Sequence, residues 1–80
     1  MFLEIITPDK NLFSGEVNSV KVPGTKGSFA ILKNHAPIIS TLEKGKVKIV
    51  TDKEKEVFID IDGGLIEVKK NKIILLADNF

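Results

Sequence analysis

The chain contains no cysteine, no tryptophan and no tyrosine, and every basic side chain is lysine rather than arginine. Without thiols it has neither disulfides nor thiolate metal ligands, which fits a reducing compartment. Without arginine it has no bidentate clamp for phosphate or carboxylate and no arginine finger. A nucleic-acid surface needs aromatic or guanidinium stacking beside a basic stripe. Here the lysines are dispersed among nearly as many acids, for a net charge of +1, so no nucleic-acid partner is expected. Apolar runs stay far short of the ~20 residues that span a bilayer. The start, Met1-Phe2-Leu3-Glu4, lacks the basic and apolar regions of a secretory signal. Direct membrane insertion is therefore not expected, and any membrane association would come through a partner.

What is present is strand-forming. Ile and Val supply 18 residues, Ala only three and Gln none, a composition that favours strands over helices. Val57, Ile59 and Ile61 alternate with Asp60 and Asp62, and Val47 and Ile49 with Lys46 and Lys48, the period of half-buried antiparallel strands. Ile73 to Ala77 is apolar on both faces, which suggests a central strand or one covered by another subunit. Between Leu12 and Val22 the apolar parity switches, from Phe13 and Val17 to Val20 and Val22. A bulge near Gly15 or Asn18 accounts for the switch. Turn signals at Pro8–Asn11, Pro23-Gly24, Asn34–Pro37, Lys44-Gly45, Asp52–Lys55, Gly63-Gly64 and Lys70-Asn71 divide the sequence at short intervals. The spacing predicts one all-β domain over residues 1–80, a sandwich or barrel. Its apolar fraction of 42% is generous for so small a domain, which leaves apolar surface for a partner.

Few residue patterns carry chemistry. His35 is the only histidine, and no nucleophile is placed beside it by sequence, so a packing or hydrogen-bonding turn histidine is the simpler reading. Asp60 and Asp62 share a strand face, with Glu4 and Glu16 as conceivable neighbours, but two carboxylates fall short of the six to eight oxygens typical of Ca²⁺. A solvated face is the plainer interpretation. Gly24-Thr25-Lys26-Gly27-Ser28 superficially resembles a phosphate loop, yet its lysine precedes the second glycine and a strand-like Phe29–Leu32 follows. It reads as a turn in which Pro23 fixes φ and Gly24 accepts φ > 0. No cofactor and no tight nucleotide site is expected. Thr51-Asp52-Lys53 matches part of the Glu-Thr-Asp-Lys-Ala pattern of lipoyl domains, so a lipoyl- or biotinyl-type carrier modified at Lys53 stands as an alternative to a charged hairpin tip.

The order of the segments adds a resemblance. Ile6-Thr7-Pro8 followed by Leu12–Val17, then Val20–Gly27, then Ile31–Ile39 around His35-Ala36-Pro37, and finally Gly63–Val68 and Leu75–Asp78 together resemble the N-terminal domain of ATP synthase epsilon subunits over essentially the whole chain. The resemblance implies a flattened antiparallel sandwich of about ten short strands, a non-catalytic piece of the rotary central stalk docked on the gamma subunit and the ring of c subunits. It implies that the turn Gly24, Thr25, Lys26, Gly27, Ser28 faces the polar loops of the c-ring. It places His35, Ala36, Pro37 and Ile38 on or near the gamma-facing side. It further implies a peripheral complex on the cytoplasmic face of a bacterial inner membrane or the stromal face of a thylakoid. The family's C-terminal helical hairpin, which follows the Leu-Ala-Asp segment, has no counterpart in a sequence that ends at Phe80. Lys26 also stands where relatives often carry an acid.

Overall fold

The computed structural model describes residues 1–78. Among them there are six strands and no helix: β1 (Phe2–Ile6), β2 (Asn11–Val22), β3 (Phe29–Leu32), β4 (Ile38–Thr51), β5 (Glu56–Lys69) and β6 (Lys72–Ala77). They hydrogen-bond in the order β1-β6-β5-β4-β2-β3, and an additional β1–β2 pairing closes the ring. Closure removes most of the free backbone edge that an open sheet would expose. The all-β expectation holds, with two corrections. The strands are fewer and longer than ten short ones, β4 and β5 having 14 residues each. The sheet is also not wholly antiparallel, because β1 runs parallel to β6.

The strand count differs because Lys44-Gly45 and Gly63-Gly64 are bends inside paired strands, not turns. β4 and β5 keep one continuous antiparallel register from Ile38↔Val68 to Val50↔Glu56. At the bend the inward parity changes in both partners: Leu42 gives way to Val47 and Ile49 in β4, and Ile61 to Ile66 and Val68 in β5. The ribbon thereby passes from one layer of the sandwich to the other without losing its ladder. Gly64 makes this possible. Its φ of +154° is rare for L side chains, and a Cβ there would collide with the Leu76 carbonyl.

The parity switch in β2 falls at Asn18, where the β2–β4 register shifts between Val17 and Ser19. Beyond that point β2 exchanges its neighbour β1 for β3, from Phe2↔Glu16 to Ser19↔Leu32. β6 lies between β1 and β5, as its two-sided apolar sequence suggested, burying Ile73, Leu75 and Ala77.

The buried core is entirely aliphatic, built from Leu3, Ile5, Val20, Ile31, Ile49, Ile66, Ile73 and Leu75 with smaller neighbours. None of the described phenylalanines belongs to it, and Phe58 is 52% exposed. The one buried polar residue among those described, Thr7, closes the β1–β2 turn. Its hydroxyl donates to the Lys10 carbonyl and accepts from the Lys10 N–H, both at 3.1 Å, so no polar atom is left unpaired there.

Candidate docking site

Pro23 is followed by a turn anchored on β4. The Gly27 N–H donates to the Gly24 carbonyl (2.9 Å), the Thr25 N–H to the Thr41 carbonyl (3.1 Å), and the Glu43 N–H to the Pro23 carbonyl (2.8 Å). The Thr25 and Thr41 hydroxyls meet at 2.9 Å. The left-handed residue is Gly27 (φ +123°), not Gly24 as the Pro-Gly pair suggested. Gly24 is needed for space instead. A Cβ there would come within 2.6 Å of the Gly27 carbonyl oxygen and 2.8 Å of the Phe29 ring. The apex residues Thr25, Lys26, Gly27 and Ser28 are exposed, and no ion pair engages Lys26 among the described residues.

This turn and the first residues of β4 enclose an open groove of about 610 Å³, lined by Thr25–Phe29 on one wall and Ile38–Thr41 on the other. It brings Ile38 to the Gly24–Ser28 turn but not the rest of the expected gamma-facing loop. His35, Ala36 and Pro37 lie off the groove. Their loop is held by the His35 N–H on the Leu32 carbonyl (3.1 Å) and by the Asn34 N–H on Asn71 Oδ1 (3.2 Å). His35 Nδ1–H donates to the Ala36 carbonyl at 2.7 Å, a structural role with no nucleophile in the bond. Sequence reasoning missed Ile39, Ser40 and Thr41. The signal was available: Ile38 and Ile39 are consecutive in a strand, so both cannot face the core. Ile38 packs against the core, while Ile39 is 68% exposed.

Two of the other outward apolar residues lie side by side. Leu65 and Leu76 are directly opposite on β5 and β6, with Ile6 next to Leu76 on β1, a small apolar patch on the outer face of the sheet. The acidic residues on β5 do not gather. Asp60 pairs with Lys46 at 3.0 Å. Glu16 is drawn to the Met1 ammonium at 3.2 Å, and Glu4 sits between Ser14 and Ile74 on neighbouring strands. Lys53 does lie at an exposed hairpin tip, between Thr51 and Lys55.

An all-β chain closed on itself around an aliphatic core belongs to the class of small β-sandwich domains. The comparisons make the class specific. The whole chain, residues 1–80, matches the family described as ATP synthase, Delta/Epsilon chain, beta-sandwich domain, and the chain belongs to that family. It is 47% identical over 76 residues to the ATP synthase epsilon chain of Chlorobaculum tepidum, covering 95% of this chain and 86% of that one. It is 46% identical over 77 residues to the epsilon chain of Leptospira borgpetersenii, covering 96% of this chain but 60% of that one. Among solved structures, a chain of the Euglena gracilis mitochondrial ATP synthase, OSCP/F1/c-ring, has the same fold with a TM-score of 0.87 at 18% identity; the match covers 94% of this chain and 48% of that chain. A chain of the Tetrahymena thermophila mitochondrial ATP synthase central stalk/c-ring superposes with a TM-score of 0.82 at 20% identity, covering 99% of this chain and 63% of that one. The family match favours a synthase subunit over the carrier reading of Lys53.

Proposed function

We propose that the chain is a non-catalytic subunit of the central stalk of a proton-translocating ATP synthase. In this reading it docks on the gamma subunit and the c-ring and helps couple proton flow to ATP synthesis. The epsilon chains it matches over nearly its whole length support this, as do the two fold neighbours, which come from central-stalk and c-ring assemblies. The Gly24–Ser28 turn is the c-ring-facing element. The chain between Leu32 and Ile38, including His35, Ala36 and Pro37, lies toward gamma. The complex sits at the cytoplasmic face of a bacterial inner membrane, to which this subunit is held by its partners.

The observation that carries the assignment to the turn is its construction. Backbone bonds to Pro23 and Thr41 fix the loop on β4, while Lys26 is left with no ion pair among the described residues. A rigid support under a free cation suits a contact that must transmit torque, with charge steering the encounter. The test is co-purification of the tagged chain with gamma and c-ring subunits from solubilised membranes, for the native sequence and for Lys26→Glu. Recovery of both partners with the native chain, and loss of the ring with the variant, is the expected result. Recovery of neither partner with the native chain refutes the proposal.

A further inference from the structure

Closure of the barrel leaves part of the β4 edge unpaired. In the first half of β4 the Thr41 carbonyl accepts from Thr25 and the Glu43 N–H donates to Pro23, so the odd-numbered residues direct their backbone groups away from β5. Ile39 is the next odd residue, and its N–H and C=O therefore point into the groove. No strand pairs with Ile39 on that side. The isolated bridge Gly24↔Leu42 is the last contact before the chain turns away. The Thr41 N–H faces the same way, and the turn supplies no backbone acceptor to it.

Natural edges are usually guarded by a charge, a proline, a bulge or a covering loop. Residues Ile38 to Ser40 have none of these. They carry no charge and no proline, they keep an unbroken register with β5, and the exposed Ile39 side chain stands on the outer face.

We propose that this edge is completed by strand addition: an extended backbone segment of a stalk partner enters the groove between the Thr25–Ser28 turn and β4. There it pairs with Ile39 and Thr41, extending the sheet by one strand. The unpaired groups identify the occupant. An N–H and a C=O on one residue, followed two residues on by another N–H, are matched by an extended peptide chain and poorly by a helix, whose backbone groups are already used internally. The same register places one residue of the incoming segment directly opposite Ile39, and an apolar or β-branched side chain fits best there. The inference rests on the reading of the chain as a stalk subunit and names the form of the contact.

The experiment is amide hydrogen exchange on the free chain and on the chain assembled with its own gamma subunit and c-ring, together with two variants. Ile39→Pro removes the N–H that faces the groove while leaving the β5 ladder intact. Ile39→Ala keeps the N–H and removes the apolar side chain. Strand addition predicts that the Ile39 and Thr41 amides exchange rapidly in the free chain and become protected in the complex. It also predicts that Ile39→Pro, folded by circular dichroism, assembles roughly two- to tenfold more weakly than Ile39→Ala. Assembly that leaves these amides unprotected, with Ile39→Pro binding as well as Ile39→Ala, overturns strand addition and leaves the subunit assignment standing. Protection that develops in the isolated chain with rising concentration assigns the edge to a second copy and overturns the proposal. Failure of the native chain to assemble at all removes the subunit reading and this inference together.

Discussion

The turn at Gly24–Ser28 and the hairpin tip at Thr51–Lys55 each carry an exposed lysine, and they dispose of their polar groups in opposite ways. At the hairpin tip the local groups bond to one another. Thr51 Oγ1 accepts from the N–H groups of Lys53 (3.3 Å) and Lys55 (3.1 Å), the Thr51 N–H donates to the Lys55 carbonyl (2.9 Å), and Asn18 reaches Glu54 at 3.0 Å. The backbone of the tip is held without a partner, although Lys53, like Lys26, makes no ion pair among the described residues. At the 24–28 turn most of the bonds run to β4, and what they hold up is a groove with unused backbone groups. An exposed lysine on a turn therefore says little about function; the destination of the hydrogen bonds distinguishes the two turns.

Changes to the shared core should erase the difference by unfolding both turns together. Leu75→Ala, at a fully buried position, is expected to cost about 2–5 kcal/mol, visible as a large fall in thermal midpoint by circular dichroism. Gly24→Ala separates the two regions. Its Cβ must displace both the Gly27 carbonyl and the Phe29 ring, at about 1–3 kcal/mol, and ring docking should weaken while the Thr51–Lys55 tip keeps its native amide shifts in NMR. Thr51→Val is the reciprocal change. Loss of an acceptor shared by two N–H groups should cost about 0.5–1.5 kcal/mol in urea unfolding, with partner binding unaltered. The smallest effect on stability belongs to Lys26→Glu, within about 0.5 kcal/mol, yet it should slow association with the c-ring and change its salt dependence. An unchanged association rate across salt concentrations would show that Lys26 is a solvated apex and no more.

How far sequence alone reaches is visible in particular residues. Alternation around Val47, Ile49, Ile59 and Ile61 marked real strands, and the parity switch in β2 located a real bulge, because burial on one face imposes a period of two. Glycine was harder to interpret. Gly24, Gly45, Gly63 and Gly64 all resemble turn punctuation, yet a Cβ at Gly45 would meet Pro23 at 2.8 Å and Gly63-Gly64 bends a continuous strand. A missing side chain that permits φ > 0 cannot be told from one that permits close approach without knowing what lies across the sheet. The phenylalanines stay outside the core for a related reason. A core this small is filled by branched aliphatic side chains at alternating positions, which leaves Phe2, Phe13 and Phe29 half-buried around it. Of the candidate site, the 24–28 turn was legible as a turn. The groove was not, because its second wall comes from β4, which starts ten residues after Ser28, and depends on where β2 stops pairing.

Amine-selective labelling of the two lysines tests the central contrast directly, comparing the free chain with the chain assembled on its gamma subunit and c-ring. Lys26 and Lys53 are both exposed in the structure, so they should react at similar rates in the free chain. Assembly is predicted to suppress labelling of Lys26 while Lys53 continues to react as before. Equal labelling of both lysines in the assembled complex would contradict the account, and protection of Lys53 with Lys26 still reactive would move the docking surface to the Thr51–Lys55 tip.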